Sequence, residues 1–425
     1  MSAKPAVARL DPAVAAGRLA VRSLLRQASQ SPPRRQPPTN DPSAAVQPPP
    51  SESGRLGPPG GALSDAVRLG EQPPAGVADG PAAGPPGAVR TPLTLVACSG
   101  GTDSLALAAV TAFEAPRQSW RAGAVIVDHG LLPDSPAVAA AAAEQCRSLG
   151  LDPVEVIAVE VDRQAGQGIE AAAREARYRA LEAEAHRHGA ALVLLAHTLD
   201  DQAETVLLAM ARGSGARALA GMAPRRGVFA RPFLELTRVQ TEAIVASAGL
   251  EPWQDPTNQP GGPYESTRSQ VRAKLMPAAK SALGPGFDRA LARTAARIRE
   301  DQECLDAQGA DLLAQAVATA GGAASDPADR VTLAVSALAG AHPAVRRRAL
   351  RQAALAAGAA AGALNTAQIE AVDRLLADWR GQGPVNLAGR VMVRRKCGKL
   401  EFRAFPTTQL PEGGRGGRPR HGDGP

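Results

Sequence analysis

Four unbroken runs of apolar residues, at 93–97, 124–127, 154–159 and 191–196, restrict the fold open to this chain more than any other feature. A strand with one wet face alternates polar and apolar side chains. These runs do not, so each is expected to be covered on both faces. Helical periodicity fills the intervals, at 104–113, 136–149 and 169–188. Strands that recur with a helix between them build a parallel sheet sandwiched by helices. The expected fold class is therefore α/β, a parallel-sheet, Rossmann-like domain. Such sheets take ligands at the carboxyl ends of their strands. Three unusual segments begin at those ends: 99–104, 128–131 and 197–204.

The flanks have a different character. After Gly284 the pattern is helical, roughly at 287–314, 343–357 and 366–379, and two strand-like runs follow at 385–393 and 399–403. At the other end, residues 10–26 suit an amphipathic helix. Asp11 can cap it, Pro12 fits its first turn, and Leu10, Val14, Val21 and Leu24 share a face opposite Arg18, Arg22 and Arg26. Between this helix and the first strand, proline and glycine make up 24 of the 60 residues from 31 to 90, a composition expected to be disordered. The expected organisation is an N-terminal helix (1–27) packed on the catalytic domain, an insert (28–90), a nucleotide domain (91–277), a smaller, mainly helical domain (278–405) and a disordered tail (406–425).

Several classes of function are excluded. No stretch reaches the roughly 18 apolar residues of a membrane span, and no secretory leader pattern opens the chain. Cys98, Cys146, Cys304 and Cys397 are dispersed, which argues against a zinc site, a redox pair or a disulfide framework and suits a reducing, cytoplasmic location. The net charge of +7 fits a nucleic-acid partner and equally a solvated surface. The five lysines are Lys4, Lys274, Lys280, Lys396 and Lys399. Residues 91–272 contain none, so a G-x-x-x-x-G-K-[ST] nucleotide loop is ruled out there.

The chemistry must then come from the three strand ends. In SGGTDS, Gly100 and Gly101 let the chain turn tightly and expose consecutive N–H groups. Ser99, Thr102 and Ser104 add hydroxyls, and the helix that follows aims its positive end at the same point. This is a nest for an anion such as pyrophosphate; the plainer alternative is a tight strand-to-helix turn. Asp103 stands out, because a carboxylate repels phosphates unless a cation such as Mg²⁺ lies between them. In HTLDDQAET, a helix starting near Leu199 sets Glu204 on a face shared with Asp200 and Asp201, with His197 at its mouth. Crowded carboxylates need a metal, a cationic ligand or a proton. The helix dipole accounts for one first-turn acid, but poorly for three and a histidine. Further along, ARGSGARALAGM (211–222), with Arg212, is a flexible connector or a phosphate-contacting lid. Arg268 and Arg272, and the run Arg346, Arg347, Arg348 and Arg351, are phosphate contacts or ordinary exposed helix faces. Phosphate contacts would weaken steeply with salt.

SGGTDS is similar to the SGGxDS loop of the N-type ATP pyrophosphatase, or PP-loop, superfamily, whose members cleave ATP to AMP and pyrophosphate to activate a carbonyl oxygen. GIEAAAREARYRAL (168–181), HTLDDQAET, ARGSG, LAGM, RPFLELTR and DPTN, in that order, resemble the tRNA(Ile)-lysidine synthetase family. The likeness is close over 91–277, loose to about residue 403 and absent from the insert. It implies a PP-loop ATPase (adenine nucleotide alpha-hydrolase) domain using ATP and Mg²⁺. The implied reaction joins free L-lysine to C2 of the wobble cytidine in isoleucine tRNA with a CAU anticodon, and dimers are common in that family. Carried over residue by residue, Ser99 to Ser104 would hold ATP, with Asp103 towards the metal; Asp103, His197 and Asp200 would serve catalysis. Asp201 and Glu204 would bind lysine, and Arg174, Arg177, Arg268 and Arg272 would face the tRNA, to which Arg212, Arg346 and Arg347 are added as candidate contacts on their charge alone. Asp255 and Asn258 match the family's DPxN element. Ser269 stands where the family usually has Asn, and Ala218 where it usually has Gly. Two rivals remain: another PP-loop tRNA-modifying enzyme such as a thiolase, which works through clustered cysteines, and a non-catalytic tRNA-binding protein.

Overall fold

The apolar runs at 93–97, 124–127, 154–159 and 191–196 do pair as a parallel sheet. The structure, a computed structural model, describes residues 10–30, 91–161, 168–255, 266–321 and 330–405; Asn258, the Pro/Gly-rich insert at 31–90 and the tail lie outside the described residues. In chain order the first elements are α1 (Pro12–Gln30), β1 (Leu93–Ala97), α2 (Thr102–Arg117), β2 (Arg121–Asp128), α3 (Ser135–Ser148) and β3 (Val154–Ala158). Next come α4 (Ile169–His188), β4 (Leu192–Leu194), α5 (Leu199–Ala211), α6 (Ala216–Leu219), β5 (Arg225–Arg226), β6 (Phe229–Ala230) and α7 (Arg238–Ala248). α8 (Thr267–Gln270), a π-helical turn (Val271–Leu275) and α9 (Met276–Leu283) follow one another without a break.

The strand order is β3-β2-β1-β4-β6-β5, all parallel except β5, which pairs antiparallel with β6. The chain steps outward from β1 to β2 and β3, then restarts on the other side of β1 with β4. Ligands of open α/β sheets bind outside the strand ends where the order reverses, here between β1 and β4. Every residue of β1 is buried, as its unbroken pattern requires. β3 departs from the expectation: it is the edge strand, and Val156 is 43% exposed.

α1 reaches Gln30, a turn past the expected end, and packs on α2 and α7. Val14, Val21 and Leu25 join the core with Val110 and Ile244, whereas Leu10 precedes the helix and is exposed. A Cβ on Gly17 would lie 2.9 Å from Cδ1 of Ile244, so the helices meet where α1 has no side chain. Arg22 grips the fully buried Glu114 through two 3.0 Å hydrogen bonds. Sequence separation hid another contact. Cys98 and Cys146 share the core beneath β1, and a thiol–thiol hydrogen bond brings Cys98 down to about 7.

A second compact unit holds residues 213–221 and the described chain from 293 on; the division falls inside α10 (Phe287–Thr319). Its further elements are β7 (Arg330–Ala334), α11 (Val335–Ala339), α12 (Pro343–Ala356), α13 (Thr366–Ala377), β8 (Val385–Leu387), β9 (Val391–Lys396) and β10 (Lys399–Ala404). The strands form an antiparallel sheet, ordered β7-β10-β9-β8, around Leu333, Leu350, Val372, Leu400 and Phe402. The sheet is larger than the two strand-like runs suggest. The run at 385–393 is two strands, split where Gly389 and Arg390 adopt φ of 85° and 61°, and β7 completes the edge. Arg346 corrects an expectation. Its Nε and Nη2 donate to the buried carboxylate of Asp373 at 2.6 and 3.2 Å, and Nη1 donates to the carbonyl of Ala341 at 3.0 Å. Buried and committed to Asp373, it presents no guanidinium to a phosphate. Arg347 is half exposed and divides itself between Asp373 and Glu370.

Candidate active site

The loop between β1 and α2 takes its shape from glycine and serine. Gly100 has φ of 79°, and a Cβ there would stand 3.2 Å from the Cβ of Ala142 on α3. Gly101 is the N-cap of α2 and has no side chain to close it, so first-turn N–H groups are left facing the loop mouth. Ser104 turns inward. It accepts the amide of Ser99 at 3.1 Å and donates to the carbonyl of Gly101 at 2.9 Å, which makes it a brace for the nest. Ser99 is exposed and Thr102 half-buried, leaving those two hydroxyls nearer to a ligand. The amide of Trp253 clamps the loop from outside, donating to the carbonyl of Gly100 at 2.9 Å.

Asp103 sits in the first turn of α2 and accepts the hydroxyl of Thr241 from α7. The same hydroxyl lies 2.8 Å from the carbonyl of Arg238, so its single proton faces two acceptors. Burial pushes the Asp103 carboxyl up, against the pull of Thr241 and Arg238. A cation at the loop would reverse that preference. Among the described residues no three His, Cys, Asp or Glu gather as a metal cage. One carboxylate at the edge of a phosphate nest is nonetheless a fit for Mg²⁺, which is commonly held by one or two carboxylates together with nucleotide phosphates.

The acids after β4 are held by a helix cap. Thr198 and Asp201 form a reciprocal capping box at the start of α5, with the Thr198 amide 2.9 Å from Oδ2 of Asp201. This turns Oδ1 of Asp201 towards Arg272 and Arg238, at 3.3 and 3.4 Å. Glu204, 1% exposed, accepts hydrogen bonds from Nε and Nη2 of Arg272 at 2.7 and 3.1 Å and forms an ion pair with Arg268, whose Nε lies 3.2 Å away. Burial works against ionisation of Asp201, but His197 in its protonated form, the Thr198 amide, Arg238 and Arg268 outweigh it and hold the carboxyl below its usual range. Asp200 faces away from this pair and accepts the backbone N–H of Arg238 at 2.8 Å, which anchors the start of α7.

The structure thus brings Asp103, Asp201 and Glu204 around Arg238, whose guanidinium lies 3.8, 3.4 and 4.0 Å from the three carboxylates. Arg268 and Arg272 sit one helical turn apart on the run through the π-helical segment and point into the acids. Ser269 keeps the start of that run closed: it forms a capping box with Ser266, its hydroxyl accepting the Ser266 amide at 2.8 Å. Arg212 is exposed at the end of α5. Arg174 and Arg177 stand on α4, close enough for their charge to act on His197. Burial and the fields of Arg231, Arg174 and Arg177 hold the His197 imidazole well below its ordinary value, so it is neutral at pH 7. Arg231, Arg238, Thr241 and Trp253 escaped sequence reasoning as site residues. The available signal was that Arg231 opens and Arg238 closes the RPFLELTR element.

Residues 87–279 match the model of the PP-loop domain, and residues 333–401 match that of the TilS substrate binding domain. Fold and loop together define a PP-loop protein. The chain is 50% identical to the tRNA(Ile)-lysidine synthase of Streptomyces coelicolor over 321 residues, 75% of this chain and 87% of that one. It is 51% identical to that of Thermobifida fusca, over 72% of this chain and 90% of the other. With the enzyme of Salinispora arenicola it shares 46% identity over 81% of this chain and 96% of that one. The chain belongs to the tRNA(Ile)-lysidine synthase family.

Proposed function

We propose that this protein uses ATP to join free L-lysine to C2 of the wobble cytidine in a CAU-anticodon isoleucine tRNA, and releases AMP and pyrophosphate. The observation that carries this reading is the spacing of two unlike sites: a phosphate nest ending in Asp103, and a buried carboxylate pair, Asp201 and Glu204, bridged to it by Arg238. One site suits an anion with its cation and the other suits an amine.

The first step makes the C2 oxygen of cytidine attack the α-phosphorus of ATP. The bond to pyrophosphate breaks, and a poor leaving group becomes AMP. The nest of Gly100 and Gly101 would hold the departing pyrophosphate, and Asp103 would hold Mg²⁺, which supplies charge neutralisation when bound. In the second step the ε-nitrogen of lysine attacks C2, the C2–O bond breaks, AMP leaves and the nitrogen loses a proton. The amine must be neutral, although its unperturbed pKa is about 10.4; a site from which water is excluded favours that form. His197, neutral and with a buried Nδ1 that has no partner among the described residues, would accept the proton. Asp201 and Glu204 would hold the α-ammonium, sharing it with Arg238, Arg268 and Arg272. Asp200, by contrast, would act by positioning Arg238.

A thiolase is disfavoured. Cys98 and Cys146 are buried in the core while Cys304 and Cys397 are exposed, so the four do not cluster at the loop. The deciding assay supplies purified protein with ATP, labelled lysine and unmodified isoleucine tRNA. Label should enter the tRNA with stoichiometric AMP; no transfer while a control enzyme is active overturns the reading.

A further inference from the structure

Three arginines near His197 have no carboxylate partner among the described residues. Arg174 and Arg231 both donate to the hydroxyl of Tyr178, at 3.4 and 3.3 Å, so two guanidiniums converge on one uncharged oxygen. Arg231 is buried; its remaining contact is with the carbonyl of Ala223, at 2.9 Å. The Nε atoms of Arg174 and Arg231 are buried without an acceptor among the described residues. Arg177, one turn from Arg174, makes no hydrogen bond or ion pair with any described residue, and burial lowers it. Arg231 is buried, and Arg174 and Arg177 are half-buried; guanidinium nitrogens withdrawn from water are ordinarily paired. The acids of the site do not relieve these three: Asp201 and Glu204 are engaged with Arg238, Arg268 and Arg272.

The position of this recess is set by the sheet. β4 and β6 pair in parallel with Leu194 opposite Ala230, so Arg231 leaves β6 beside the end of β4, three residues before His197. α4, which carries Arg174, Arg177 and Tyr178, packs on β1 and β4 from one face. The charges of Arg231, Arg174 and Arg177 and that of Asp201 all act on the His197 imidazole, so the arginine cluster and the carboxylates share one neutral neighbour.

A free amino acid carries its ammonium and its carboxylate on the same carbon. The geometry points to the cluster of Arg174, Arg177 and Arg231 as the subsite for the α-carboxylate of the amino-acid substrate, with the acids that act on the same His197 taking its α-ammonium. Together the two clusters pin the α-end of the zwitterion and leave the side-chain amine free to reach the reacting carbon. This inference rests on the proposed lysine ligation.

The test compares L-lysine with L-lysinamide, in which a neutral amide replaces the carboxylate. Equilibrium dialysis of labelled lysine against the full-length protein, with lysinamide as competitor, measures binding without tRNA; the transfer assay measures KM for each. Wild-type protein should bind lysinamide on the order of 100-fold more weakly, the cost of leaving buried charged donors unpaired. Arg177→Gln should raise Kd and KM for lysine by about tenfold or more and leave lysinamide within about twofold, so that the preference shrinks. Arg177→Lys should recover part of it. Equal binding of lysine and lysinamide by wild-type protein overturns the subsite with no variant needed. An unchanged preference in Arg177→Gln, joined to a higher KM for tRNA with a shallower salt dependence, assigns the recess to an RNA phosphate and also overturns it. If wild-type protein binds lysine but transfers none to tRNA, the ligation reading fails, while dialysis still decides the recess.

Discussion

Replacing Arg346 by Met separates the two roles open to the arginine run of α12. The substitution keeps most of the side-chain volume and removes the charge. In the folded protein Asp373 is 4% exposed and accepts two hydrogen bonds from Arg346 and one from Arg347, at 2.6, 3.2 and 3.1 Å. Stranding one member of a buried pair costs about 3–5 kcal/mol. Arg347 still holds one oxygen, which favours the lower end, and the lost bond to the Ala341 carbonyl adds about 1 kcal/mol. A total of about 4 kcal/mol, at about 4 °C per kcal/mol for a unit near 100 residues, lowers the unfolding transition of the second unit by about 16 °C.

The pH dependence gives a second handle. Burial works to raise the Asp373 carboxyl, but Arg346 and Arg347 outweigh it and hold it below the usual range. A depressed folded pKa contributes stability above the unfolded value of about 3.9, lost only as pH falls through the folded pKa. Wild-type protein keeps this contribution from neutrality down to about pH 4. In Arg346→Met burial is opposed by Arg347 alone, so the deficit should be largest near pH 7 and narrow towards pH 4. Scanning calorimetry at pH 7, 5 and 4 reads both effects. An unchanged transition, together with weaker tRNA binding and a shallower salt dependence, would refute the structural assignment and return Arg346 to the RNA surface.

Asp103→Asn should abolish AMP release while tRNA binding stays close to wild type in a filter-binding assay. Burial raises the Asp103 carboxyl, so its ionisation weighs against folding as pH rises through the folded pKa. The variant should therefore melt no lower than wild type at pH 7; a large fall in Tm would make Asp103 a structural residue. Glu204→Ala leaves Arg272 and Arg268 facing a gap, and should cost about 3–5 kcal/mol in chemical denaturation. Glu204→Gln keeps the shape and part of the hydrogen bonding; it should cost less and still raise KM for lysine, and an unchanged KM would remove Glu204 from the lysine site.

Much of this protein was legible in one dimension because the physics involved is local. Unbroken apolar runs imply strands covered on both faces, and β1, β2 and β4 are where those runs predicted them. A loop of SGGTDS after a strand must turn, and its two glycines and the helix start shape the nest that Trp253 then clamps. α4 matches its periodic segment end to end. Asp201 and Glu204 of HTLDDQAET lie on one face, as a helix from Leu199 requires, whereas Asp200 turns to the backbone of α7.

Tertiary structure decided what each charge does, because a charge is assigned by its neighbours across space. Arg268 and Arg346 look alike in sequence, each in an arginine-bearing helical segment. The fold turns Arg268 into the acids and Arg346 into a buried pair with Asp373. Asp200 and Asp201 are adjacent, yet the capping box sends one to the amide of Arg238 and the other to its guanidinium. The edge position of β3 came from strand order, and β7 and the split of the run at 385–393 came from antiparallel pairing. The arginines around Tyr178 come from two elements, α4 and the chain after β6. Their meeting is set by the parallel register of β4 and β6, and that they lack a carboxylate among the described residues is a fact of three dimensions only.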